Sequence, residues 1–308
     1  MQKRPFGNTG FSVSPLGFGG APIGLLQTER EAAGNLLNLL LDEGVNVIDT
    51  AARYKDSEEV IGQYVGHRRN EFVVVSKCGP SVPHVEAPEW SAEMIEQTID
   101  ASLGRLRTDH LDVMLLHSCE KDVLERGEAV AALARARDAG KIRFAGYSGD
   151  NEAAAFAAAL SDIAVIETSI SIADQSNIDT VIPTCRQRNL GVLAKRPIAN
   201  AAWKQPDDQP GFYKEYASTY TDRLRQMNLK PADLGFTAPP EQAWPELALR
   251  FALSIPGVHT TIIGTTKVEN ARTNVAIANN GPLPPAVVEH VRAAFKKADP
   301  TGAWIGQT

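Results

Sequence analysis

The chain has 308 residues, 43% of them hydrophobic and 22% charged, which is ample material for a large core. Its 31 basic against 37 acidic residues give a net charge of −6, and this argues against a nucleic-acid-binding surface, whose balance would be basic. No apolar run nears the roughly 20 residues of a membrane span, MQKRPFGNTGF lacks the apolar core of a secretory leader, and Cys78, Cys119 and Cys185 form no C-x-x-C spacing; a reduced, cytoplasmic protein is expected.

In chain order, KRPFGNTGFSVS carries Gly-Asn and Thr-Gly turn signals and predicts a small β-hairpin. Eight short, apolar, β-rich runs follow: PLGFGG (15–20), VNVID (45–49), FVVVSK (72–77), LDVMLLH (111–117), IRFAGYS (142–148), IAVIET (163–168), LGVLAK (190–195) and HTTIIGT (259–265). Amphipathic stretches such as EREAAGNLLNLLLDEG separate them, and VLERGEAVAALARARDAG stops on Gly140 as a helix would. Near-continuous apolar strands alternating with helices imply parallel strands buried on both faces. Eight such units with right-handed crossovers close into a (β/α)8 TIM barrel, a single domain over residues 1–308 whose floor the hairpin would cap; a doubly wound open sheet is the alternative. Residues 200–245, between the seventh and eighth strands, form a long insertion rich in proline and aromatics (Trp203, Phe212, Tyr213, Tyr216, Tyr220, Trp244). GFYKEYASTYTDRLRQMN within it reads as a helix, and its aromatics would serve either packing or substrate contact.

In a parallel barrel all strand C-termini share one rim, and here they are polar. The second strand ends on Asp49, the third on Lys77, the fourth on His117, the fifth on Ser148, the sixth near Glu167, the seventh at Lys195-Arg196 and the eighth at Gly264-Thr265-Thr266. A buried acid is costly unless paired with a cation, and Lys77 on the neighbouring strand is the natural partner for Asp49. Tyr54, in the loop after Asp49, can lean over the same spot. A tyrosine titrates near pH 10; an ammonium beside it stabilises the phenolate and lowers that value. The carboxylate holds the ammonium in place, and His117 can bond a carbonyl oxygen. The set is a proton relay aimed at one oxygen, suited to carbonyl reduction or alcohol oxidation. No side chain supplies a hydride, so a nicotinamide cofactor is implied.

These residues resemble the aldo-keto reductase superfamily. GVNVIDTAARYKDSEEVIG is similar to its D-T-A-x-x-Y-x-x-S-E-x-x-I/L-G signature, VVVSKCG to its lysine motif and HLDVMLLHS to its D-x-x-x-L-H motif; FGNTGFSVSPLGFGGAPIG and GTTKVENARTN extend the likeness over nearly the whole chain. The resemblance implies a (β/α)8 barrel that binds NADP(H), less often NAD(H), with Tyr54 as general acid/base, Lys77 and Asp49 tuning it and His117 orienting the carbonyl. Asp49, Ser148 and Glu167 would then lie near the nicotinamide, Arg196 near the pyrophosphate, and Gly264, Thr265, Thr266, Lys267, Asn270 and Asn274 along the adenosine end.

The sequence departs from the family pattern at several cofactor positions. GYSGD keeps Ser148 but puts Gly149 where an asparagine is usual; Glu167 replaces a glutamine, so it can accept but not donate. Ile170 stands for a stacking aromatic, Arg196 for a serine, and Asn270 for the arginine of the 2′-phosphate, leaving Lys267 or Arg272 to carry that charge. NADP(H) is favoured, with NAD(H) possible. The expected partner is a small carbonyl or sugar substrate, with no nucleic acid, membrane or metal. Two other readings are a non-catalytic nicotinamide-binding regulatory subunit, which loss of a tetrad residue would favour, and a metal-dependent hydrolase using Asp49, His117 and Glu167, with His84 and His110 left in loops.

Overall fold

In the computed structural model, β1 (Arg4–Pro5) and β2 (Ser12–Val13) form the expected antiparallel hairpin, with Arg4 opposite Val13. The described residues are 1–26, 28–83, 85–205, 208 and 214–307, so His84, Phe212 and Tyr213 lie outside them. Phe6 and Val13 of the hairpin are fully buried and pack with Val47, Val75, Val113 and Leu193, sealing the N-terminal end of the barrel.

The barrel strands are β3 (Leu16–Gly19), β4 (Val47–Asp49), β5 (Val73–Cys78), β6 (Leu111–His117), β7 (Ile142–Ser148), β8 (Val165–Ser169), β9 (Gly191–Lys195) and β10 (Thr260–Ile263). Each pairs in parallel with the next, and β10 closes onto β3 with Thr261 opposite Leu16. All eight fall on the predicted runs. The closed barrel replaces the open-sheet alternative and leaves no unpaired edge.

Helices fill the crossovers: α1 (Ala21–Leu25), α2 (Arg30–Asp42), α3 (Ser57–Val65), α4 (Ala92–Leu106), α5 (Lys121–Arg126), α6 (Glu128–Asp138), α7 (Asn151–Ala159), α8 (Ser176–Thr180) and α9 (Ile182–Gln187). After β9 come α10 (Lys214–Met227), α11 (Pro240–Leu253), α12 (Val268–Asn279) and α13 (Pro285–Ala298). Local chemistry sets their ends. Ser91 caps α4 by accepting from the Met94 amide at 3.1 Å, and α6 stops at the left-handed Gly140, as predicted.

The insertion carries its own helix, α10, where the sequence predicted one. Its described aromatics pack within the protein: Tyr220 is fully buried and donates to Asp174 Oδ2 at 2.8 Å, while Trp203 stacks on Trp244 with centroids 5.7 Å apart. In the C-terminal tail Trp304 meets Phe295 edge-on at 5.1 Å, and Asn151 exchanges two hydrogen bonds with the Gly306 backbone. Among the described residues no helix is long and apolar enough to cross a membrane.

Candidate functional site

Side chains alternate across a strand, so a barrel strand that points apolar residues inward keeps every second residue inside. Val47, Val75, Leu115, Val165 and Leu193 fill the interior with Phe6 and Val13. Two residues further along each of those strands come Asp49, Lys77, His117, Glu167 and Lys195. One layer is therefore apolar and the next carries charge. The neighbouring strands share this level, with His117 opposite Ser148 and Ser148 opposite Glu167. β8 continues to Ser169 instead of ending near Glu167, which places Glu167 inside the barrel wall rather than on its lip.

The expected pair forms: the Lys77 ammonium, 1% exposed, donates to Asp49 Oδ1 and also to the Thr50 carbonyl at 3.0 Å. It lies 5.5 Å from the centroid of the Tyr54 ring, which in turn meets the His117 ring edge-on at 5.8 Å. The loop carrying Tyr54 is fixed from below, since Thr50 N and Ala52 N donate to Val75 O and Lys77 O. Ser57 and Glu58 of the signature hold this loop in place. Ser57 bonds Thr50 at 2.8 Å, and the fully buried Glu58 accepts from Ser76 Oγ at 2.5 Å and Arg105 Nε at 2.7 Å, tying α3 to β5 and α4.

The electrostatics follow from one buried ammonium between two buried carboxylates. Glu167 Oε2 is 3.3 Å from Lys77 Nζ, and this carboxylate also lies close to that of Asp49. Burial alone would lower the lysine pKa, but Asp49 and Glu167 outweigh it and push it well up, so Lys77 stays charged. Burial and the charge of Glu167 drive the Asp49 carboxyl upward against the pull of Lys77. His117 is held well below its usual range by burial and by the charges of Lys77, Lys195 and Arg53, so its imidazole is neutral. Its Nδ1 is buried without a hydrogen-bond partner among the described residues.

Asp49, Tyr54, His117, Ser148, Glu167, Arg196 and Gly264 all line one cavity of about 590 Å³ at the C-terminal mouth of the barrel. Thr265, Thr266, Lys267, Asn270 and Asn274 lie outside it, on the turn after β10 and the start of α12, with Lys267 at the helix N-cap. Arg196 has a left-handed backbone (φ 55°) and its guanidinium donates to Ser169 Oγ at 3.1 Å. Ile170 is fully buried in the core and does not line the cavity, nor do Trp90 and Trp304. The metal-site reading finds no arrangement to support it: among the described residues no three His, Cys, Asp or Glu side chains are grouped to hold an ion.

Two site residues were not singled out from sequence. Arg53 lines the cavity, as does Lys195 from the end of the seventh strand. Asp150 is buried below it and accepts from Thr168 Oγ1 at 2.8 Å, Ser169 N at 2.6 Å and Asn177 Nδ2 at 2.8 Å, with Lys195 Nζ 3.1 Å away. Burial opposes its ionisation, yet Lys195, the Ser169 amide and Arg196 hold it below the usual range. Gly149 has a steric reason: a Cβ there would run into the hydroxyl of Tyr147, which is 1% exposed and donates to Cys119 O at 2.7 Å.

The aldo/keto reductase family profile matches residues 15–296. The chain belongs to the aldo/keto reductase family. It is 27% identical over 296 residues to an uncharacterised oxidoreductase of Bacillus subtilis, YqkF, covering 91% of this chain and 92% of that protein. It is 25% identical over 294 residues to L-galactose dehydrogenase of Arabidopsis thaliana, covering 90% and 88%. The fold resembles the holo form of the aldo-keto reductase AKR11C1 from Bacillus halodurans, with a TM-score of 0.80 over 96% of each chain at 23% identity. Membership makes this an oxidoreductase on a (β/α)8 barrel, in a family that uses nicotinamide cofactors.

Proposed function

We propose that this protein is an NAD(P)H-dependent reductase of an aldehyde or ketone, or works in reverse as an NAD(P)+-dependent dehydrogenase of the corresponding alcohol or sugar hydroxyl, with Tyr54 as its general acid/base. The observation that carries this reading is the meeting of Asp49-bound Lys77, Tyr54 and neutral His117 at one cavity. A non-catalytic subunit on the same barrel would be free to lose members of this set, and here all four are retained.

The residues present fit a dinucleotide. The cavity holds polar atoms deep inside at Ser148 and Glu167 and cations at Lys195 and Arg196, and it runs to Gly264 beside the start of α12, whose first-turn amides favour an anion. In this reading Asp49, Ser148 and Glu167 flank the nicotinamide, Arg196 meets the pyrophosphate, and Gly264, Thr265, Thr266, Lys267, Asn270 and Asn274 follow the adenosine. The exposed Lys267 gives NADP(H) the advantage over NAD(H), because an ammonium there can pair with a 2′-phosphate. The bound cofactor supplies the hydride, which no side chain can.

Tyr54 passes its hydroxyl proton to the carbonyl oxygen as that oxygen gains charge. Lys77 stabilises the phenolate left behind, and Asp49 keeps the ammonium aimed. The neutral His117 donates its single ring N–H to the same oxygen, orienting the carbonyl without competing to protonate it. In the reverse direction the phenolate takes the alcohol proton. Fluorescence titration with NADPH and NADH in metal-free buffer, followed by a screen of aldehydes, ketones and sugars, tests the proposal. Saturable binding and turnover of at least one carbonyl are expected; binding of neither nucleotide refutes it.

A further inference from the structure

Lys77 has two carboxylate neighbours, and the second arrives from the far side of the barrel. Glu167 is 3% exposed, its Oε1 accepts from Ser148 Oγ at 3.3 Å, and its Oε2 sits 3.3 Å from Lys77 Nζ. The family pattern has a neutral glutamine here. A glutamine could share the Ser148 contact but would leave Lys77 with a single counter-ion. We propose that Glu167 is a positioning residue that acts through Lys77 to set the acidity of Tyr54, holding the phenol protonated to higher pH than Asp49 and Lys77 alone would.

The argument is one of charge in a confined space. Lys77 lowers the pKa of a phenol only so far as its charge is not already spent on carboxylates. Asp49 is bound to Lys77 Nζ and Glu167 Oε2 lies 3.3 Å from it, so two buried carboxyl groups draw on the one ammonium. The groups facing them are Tyr54 from the loop after β4, His117 from β6, Ser148 from β7 and Lys195 from β9, with Arg53 at the mouth. His117 is neutral and Ser148 uncharged, and Lys195 is engaged by Asp150 at 3.1 Å. No other anion among the described lining residues can take Glu167's place on Lys77. Two unit charges about 4 Å apart interact strongly even at an effective dielectric near 20, so removing this one should be felt at the phenol.

The inference rests on Tyr54 being the acid/base, and its test separates the two. Glu167→Gln keeps the shape and the Ser148 contact and removes only the charge. The tyrosinate of Tyr54 is followed in the cofactor-free protein by ultraviolet difference titration, each protein being compared with its own Tyr54→Phe version. The pH profile of kcat for carbonyl reduction is measured alongside. In Glu167→Gln both the Tyr54 titration and the alkaline limb of kcat should move down by about one pH unit or more. Glu167→Asp, which retains the charge, should stay closer to the wild type than to Glu167→Gln. An alkaline limb that stays put while cofactor affinity falls would make Glu167 a nicotinamide contact alone and overturn the proposal. So would equal shifts in the Gln and Asp variants, or lost thermal stability with an unmoved limb. If the Tyr54 titration shifts but no variant, nor the wild type, transfers hydride, the oxidoreductase reading fails while the charge coupling stands.

Discussion

Replacing Lys77 by Met removes the ammonium and keeps most of the side-chain volume, so its cost can be read from what remains. Asp49 and Glu167, 4% and 3% exposed, would face each other in the barrel interior without a cation. Breaking a buried ion pair by deleting one partner costs about 3–5 kcal/mol. With an unfolding entropy of about 2.1 cal/mol/K per residue over 308 residues, that corresponds to a drop in melting temperature of roughly 5–8 °C. The two carboxyls can escape by taking up a proton, so their folded-state pKa values rise above the unfolded ones. Stability is then retained at low pH and lost as pH rises through those raised values, and the deficit should be larger near pH 8 than near pH 5. Calorimetry of both proteins at the two pH values is the assay. A melting temperature unchanged at about pH 8, or an equal drop at both, would refute the account of a cation shared by two buried carboxylates.

Lys267→Ala should weaken NADPH binding while sparing NADH, whereas Arg196→Ala should weaken both, each measured by fluorescence titration; equal loss of both nucleotides in Lys267→Ala would move that residue to a general role. His259 is half-buried beside Phe6, its Nδ1 accepts from the Val192 amide at 3.0 Å, and burial followed by the charge of Arg4 lowers its pKa from 6.5 to about 4. The unfolded chain protonates first as pH falls, so this residue's contribution is present above 6.5 and lost on the way down to about 4. His259→Gln should flatten the acid slope of denaturation midpoints over that window, and an unaltered slope would contradict the assignment.

The fold was legible because interior and exterior demands coincide on a parallel barrel. Each strand is apolar on both faces, so VVVSK and LDVMLLH stand out from the amphipathic helices around them. The tetrad was legible for the same reason: a charge that ends such a run has nowhere to sit but the rim. What stayed hidden depends on closure. Glu167 and Lys77 are ninety residues apart on strands that are not neighbours, and only the curled sheet brings them across the interior to each other. Asp150 was likewise invisible, since its partners come from β8, α8 and β9. The Ser-Glu of the signature gave no sign of its structural role, because Arg105 and Ser76 meet Glu58 only after α3 and α4 dock. Gly149 looked like a lost amide contact, and the packing of Tyr147 shows why an asparagine is not accommodated.

The central claim is that Tyr54 gives the proton to the carbonyl oxygen. Tyr54→Phe keeps the ring, its edge-on contact with His117 and its place above Lys77, and removes only the hydroxyl. General acid/base catalysis contributes about 10²–10⁴-fold. Single-turnover hydride transfer to an aldehyde, in wild type and in Tyr54→Phe saturated with NADPH, should therefore slow by about that factor in the variant while its cofactor affinity stays close to wild type. Transfer at the wild-type rate in Tyr54→Phe would contradict the account.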